Sequence, residues 1–192
     1  VATTEAVIAR TEALDATLSM AGQGIPLYKR AVLRLLEGRL PELEPELRAD
    51  PHVHLFRDMH ALSLVEAGRE GEARGLLGPW AEQPPVPWDY LWVLFTVVRA
   101  RLWARLGDPV AVADLRAALA PYADRLAVGS VAVAFLGSVE LALAELAAVA
   151  GEPAAAAEHL ARARRTHVDL GLGVWVRLTD ELADQLGLPH ER

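Results

Sequence analysis

The run "HVHLFRDMH" at 52–60 gathers three of the six histidines. Imidazoles and carboxylates at helical spacing are the raw material of a metal site. His54 and Asp58 are four apart and share a helical face, whereas His52 and His60 point elsewhere on the same helix. A catalytic metal needs three convergent protein ligands, so the run reads as capping and solvent-facing residues and no metal is assigned. The acids Glu42, Glu44 and Glu46 surround Pro45. Proton transfer by paired acids requires one of them in an apolar pocket to separate their pKa values, and all three read as wet. "ARARRTH" at 161–167 reads as basic side chains near a helix C-terminus, where they complement the dipole. His159, His167 and His190 read as solvated.

Other chemistries lack their residues. No G-x-x-x-x-G-K-[ST] phosphate loop is present, and the one lysine, Lys29, sits in "PLYKRAV". No G-x-S-x-G nucleophile elbow occurs. Ser130 and Ser138 read as an N-cap and a small packing residue. With no cysteine there is no thiol nucleophile, disulfide or Cys-based metal site, which fits a reducing cytoplasm. The net charge of −7 opposes a phosphate backbone and argues against direct nucleic-acid binding. These readings exclude an enzyme and require no cofactor.

The elements that carry these residues read as helices. Apolar residues make up 53% of the 192, dominated by Ala and Leu, which favour helix over strand. Four turns, "EGRLPEL" at 37–43, "AGREGEA" at 67–73, "LGDPVAV" at 106–112 and "AGEPAAA" at 150–156, each follow an apolar stretch and open a second helix. Their glycines, Gly38, Gly68, Gly107 and Gly151, lie 30, 39 and 44 residues apart, a drifting period that marks helix-turn-helix repeats. Glycine supplies the left-handed helix end. Asp108 and Glu152 then place a carboxylate at the next helix's positive end, and Pro109 and Pro153 occupy its first turn. Ala73, Ala113 and Ala156 allow the second helix of each pair to lie close against the first.

The predicted map is a helix at 4–21, pairs at 26–37 and 40–48, 52–67 and 70–82, 88–106 and 109–124, 130–150 and 153–170, and a last helix at 173–187. The apolar run "LAVGSVAVAFLGSV" at 126–139 is shorter than the about 20 residues of a membrane span and reads as buried helix. Between 87 and 106, Leu91, Leu94, Phe95, Val98, Leu102 and Leu106 form one stripe, and Trp88, Trp92 and Trp103 extend a neighbouring one, as an inner member of a stack requires. The last helix has one stripe, Val174, Trp175, Leu178, Leu182 and Leu186, the pattern of a capping helix. The fold class is therefore all-α: antiparallel helix-pair repeats of a tetratricopeptide-like α-solenoid, about nine or ten helices with a C-terminal cap, in one domain over residues 1–192. First helices of such pairs line a concave face that takes peptides or partner helices. Trp88, Asp89, Trp92 and Arg99 fall along one edge of it, and aromatic plus Arg is the composition of interaction hot spots.

The stretch from about 86 to 185 resembles a family. Trp88-Asp89, "LGD" at 106–108, "APYADR" at 120–125, "LGS" at 136–138 and a Leu-Gly, Trp, Leu-Ala pattern at 170–183 are similar to the tetratricopeptide-type C-terminal region of large bacterial signalling ATPases. These include LuxR-type and MalT-like transcriptional regulators and ATPase-linked nucleotide cyclases. That resemblance implies a cytoplasmic sensor, scaffold or autoinhibitory arm excised from a longer chain, whose ATPase and DNA-binding domains are its neighbours. The function expected is non-catalytic binding of protein, peptide or small effector, without membrane association and with homo-oligomers allowed. The alternative is a stand-alone adaptor or scaffold.

Overall fold

The computed structural model describes residues 6, 25–49, 53–129 and 134–188, and the chain falls into two compact units, Val1–Gly78 and Pro79–Arg192. The fold is all-α, with nine α-helices and one small two-stranded ribbon among the described residues.

In the first unit, α1 (Ile25–Leu36) buries Leu27, Tyr28, Ala31, Val32 and Leu35 at three- and four-residue spacing, one face of a helix. A 3-10 turn at Leu40–Leu43 leads into α2 (Glu44–Ala49), followed by α3 (Val53–Glu66) and α4 (Glu70–Leu77). α3 packs against α2 and α4, and its fully buried Met59 and Leu62 share the core with Leu40 and Leu47.

In the second unit, α5 (Trp92–Leu106) and α6 (Pro109–Leu119) form one hairpin, and α7 (Val139–Val149) and α8 (Pro153–Asp169) another. α9 (Gly173–Leu186) closes on α8. α7 is the central helix: it contacts α5, α6 and α8, and all but three of its residues are buried. α5 likewise buries Leu94, Val97, Val98, Leu102, Trp103 and Leu106 and packs against both α6 and α7; most of the predicted first stripe is inside, but of the second only Trp103 is buried, with Trp92 half-buried and Trp88 exposed before the helix begins.

The four turn glycines all adopt positive φ, between 68 and 75°. At Gly38, Gly68 and Gly151 the following N–H reaches back five residues to a helix carbonyl (Arg39 to Arg34, Arg69 to Leu64, Glu152 to Ala147), closing the helix with its last carbonyls satisfied. Asp108 caps α6 as expected, accepting from the N–H groups of Val110 and Ala111. Glu152 does not cap α8; its longer side chain reaches across to Arg116 on α6. Ala73 and Ala156 are fully buried at their hairpin contacts, but at the α5–α6 hairpin Ala111 takes that place and Ala113 is exposed.

Three further expectations are corrected. The segment before α7 is not helix: β1 (Leu126–Val128) pairs antiparallel with β2 (Phe135–Ser138), Leu126 opposite Ser138 and Val128 opposite Phe135, with a bulge between. Gly137 there turns to φ 78°, which no helix interior adopts. The predicted helix at 70–82 ends at Leu77, because Gly78 turns to φ 72° and Pro79 follows. The helix predicted from 88 starts at Trp92, after a turn at 88–91. The predicted helix at 4–21, apart from Ala6, lies outside the described residues. No helix among the described residues is long and apolar enough to cross a membrane.

Candidate functional site

The turn at 88–91 and the 3-10 turn at Ala120–Tyr122, which ends α6, bring three aromatic rings together in the second unit. Trp88 lies 4.7 Å from Trp92 and 6.1 Å from Tyr122 between ring centroids, and Trp92 lies 5.1 Å from Tyr122. Trp92 and Tyr122 are half-buried, yet Trp88 is 73% exposed and Tyr90 70%. Large aromatics left in water at this level are a feature of interaction surfaces.

The four residues predicted to line a partner edge divide. Trp88 and Trp92 do meet. Asp89 sits in the turn beside them, where its Oδ1 accepts the Leu91 N–H at 2.8 Å. Arg99 is half-buried, and its guanidinium donates to the Pro84 carbonyl at 2.7 Å, pinning the proline segment. Trp88 and Asp89 precede α5, so the predicted edge is a ledge built from two turns. Tyr122 was missed because "PY" reads only as the end of a helix; its pairing with Trp92 spans 30 residues and is set by how α5 and α6 pack.

A second feature of this unit is an open surface groove of about 380 Å³. Ala113, Ala117, Ala120, Ala123 and Leu143 wall it, and Arg116 and His159 supply its polar groups. Both polar residues are held from outside. Arg116 makes a bidentate pair with Glu152 at 2.8 and 2.6 Å, which raises the Arg116 pKa and lowers that of Glu152. His159 Nδ1 meets Glu140 Oε2, and Arg162 Nε donates to Glu140 Oε1 at 2.7 Å. Burial raises the Glu140 carboxyl, but the His159 and Arg162 contacts outweigh it and leave it below the ordinary carboxylate value. Glu140 is therefore an ionised anchor rather than a proton donor.

No known protein family, curated protein or solved structure matches the chain.

Among the described histidines expected in solvent, His60 and His167 are buried and His159 is half-buried. His167 is fully buried, and its hydrogen bonds fix its state. Thr179 Oγ1 donates its one proton to the Trp175 carbonyl at 2.7 Å, so it accepts from His167 Nδ1–H at 3.0 Å. His167 Nε2 accepts the Ser138 N–H at 2.9 Å, which makes the ring neutral. Burial pushes its pKa below the ordinary value. His60 is also buried, bonded to Glu44 Oε1 at 3.0 Å, and Glu44 is buried rather than wet. Burial raises the Glu44 carboxyl, but His60, Arg48 and Arg69 together hold it below the ordinary range. Glu42 and Glu46 are exposed, as read.

The Arg run bonds carboxylates of neighbouring helices: Arg162 takes Glu140 on α7 and Arg164 takes Asp180 on α9 at 2.8 Å. Ser138, expected to pack, is the N-cap of α7, its hydroxyl accepting from Glu140 N. Val174 leaves the predicted stripe and is exposed; Trp175, Thr179 and Ala183 form the buried row of α9. His52, His190, Ser130 and the side chain of His54 lie outside the described residues. No group of three His, Asp or Glu positioned to hold a metal occurs among the described residues.

Proposed function

We propose that this chain is a non-catalytic helical-repeat module that docks a protein or peptide partner in a bacterial transcriptional regulator or related signalling ATPase. The observation that carries this reading is the solvent-facing aromatic ledge of Trp88, Trp92 and Tyr122 on a stack of helix hairpins. The charged groups support it too, because the two buried glutamates among the described residues anchor helices: Glu140 ties α7 to α8, and Glu44 ties α2 to α3. Partner contacts at the ledge would bias how α5 and α6 pack and pass that bias along the chain.

Panning a random-peptide library on the immobilised chain, with Trp88→Ser as counter-selection, tests the docking. Binders that require Trp88 are expected; their absence overturns the reading. Sequencing the reading frame on both sides tests the setting. A phosphate-loop ATPase or a helix-turn-helix beside this segment is expected, and a frame without either leaves a free-standing adaptor.

A further inference from the structure

We infer that the ledge is built for one kind of partner group, an arginine side chain on a basic segment, stacked on Trp88 and bonded to Asp89. The inference rests on the docking reading above and names the partner's chemistry. Trp92 and Tyr122 back the Trp88 ring at 4.7 and 6.1 Å, so it is pre-oriented, while 73% of the residue stays in water. An indole face attracts a cation through its quadrupole, and it is the best of the aromatic platforms for doing so. The next residue supplies the counter-charge. Asp89 Oδ1 is occupied by the Leu91 N–H, which holds the carboxylate in the same turn that carries Trp88, and Oδ2 makes no hydrogen bond among the described residues.

An indole followed in the same turn by a held carboxylate suits guanidinium better than ammonium, because only guanidinium is planar enough to stack while forking its N–H groups toward oxygen. Charge complementarity sets the rest of the partner. The chain carries −7, and the exposed acids of this unit include Asp124, two residues after Tyr122 and paired with Arg125 at 3.4 Å, and Glu82. A basic segment is drawn to this face and an acidic one repelled.

The test is fluorescence anisotropy of a labelled glycine-arginine repeat peptide on the full chain at low salt, beside glycine-lysine and glycine-glutamate peptides of equal length. The arginine peptide is expected to bind most tightly and the glutamate peptide not at all. Trp88→Ala and Asp89→Asn are each expected to weaken arginine-peptide binding about three- to fivefold. Asn keeps the side-chain oxygen that the Leu91 N–H needs, and Trp88 is exposed, so circular dichroism and melting should be unchanged in both. Equal binding of the lysine peptide, or indifference to either variant, overturns the inference and leaves only general attraction to an acidic protein. Trp88-dependent library binders without arginine would overturn it while the docking reading stands; no Trp88-dependent binder of any kind removes both.

Discussion

The backbone N–H of Ser138 donates to His167 Nε2 at 2.9 Å, joining the end of the β-ribbon and the start of α7 to the last turn of α8. The bond exists only while that nitrogen has a free lone pair. A protonated imidazole would set one N–H against another in a site without water access.

Stability should therefore fall with acid before the carboxylates titrate. The unfolded histidine takes up its proton near 6.5, while the folded ring, held lower by burial, does not. The unfolded state binds more protons, so the stabilisation is present above 6.5 and is lost progressively as pH drops below it, by up to ~1.4 kcal/mol per pH unit. Urea unfolding between pH 7.5 and 5.5 should show this slope in wild type and a shallower one in His167→Gln. Equal slopes would place the titration elsewhere.

Among the described glycines, Gly137 has the least room for a side chain. Its φ is +78°, and a Cβ there would lie 2.5 Å from Cε3 of the Trp175 ring, which is itself locked by Phe135 at 5.4 Å and His167 at 5.8 Å. Gly137→Ala should cost about 3 kcal/mol or more, combining backbone strain with overpacking. Gly107→Ala, at φ +68° with open space around it, should cost only about 1 kcal/mol. Thermal melts of the two variants side by side check the difference, and similar losses would contradict the close approach.

Two turns of like sequence should respond differently to loss of their acid. Asp108→Ala removes a cap bonded to two N–H groups and should cost about 1 kcal/mol. Glu152→Ala removes no cap, only a pair to Arg116 in which Glu152 is about half exposed, and should cost less than Asp108→Ala. Chemical denaturation resolves the two, and a larger loss at Glu152 would refute the assignment.

The two ledge tryptophans should separate as well. Trp88→Ala should leave stability within about 0.5 kcal/mol of wild type, as at exposed positions generally. Trp92→Ala removes a half-buried ring packed on Tyr122 and should cost about 2 kcal/mol, short of a full core deletion. Melting curves distinguish them; equal destabilisation would make Trp88 part of the core.

The sequence by itself determined the helices and their punctuation. Gly38, Gly68, Gly107 and Gly151 each bend the chain at positive φ where the turn motif puts them, and the stripe of Leu94, Val98, Leu102 and Leu106 marked a buried face of α5. Both are local properties, written in residue type and a 3.6-residue period. It also named Trp88 and Trp92 for the candidate site, though on a helical spacing that the structure replaces: Trp88 stands in the turn before α5 and meets Trp92 from there.

Only the tertiary structure decided the partners of the polar residues. Glu140 with His159, Glu44 with His60, and Ser138 with His167 are 19, 16 and 29 residues apart. A histidine near carboxylates reads as solvated until the packing of two helices removes its water. The ribbon before α7 was hidden for a related reason. Ala and Val in a short apolar run fit helix or strand alike, and the pairing of Leu126 with Ser138 and Val128 with Phe135 joins residues that no local periodicity links. Tyr122 likewise joined the ledge only once α5 and α6 were side by side, because no periodicity links residues on two different helices.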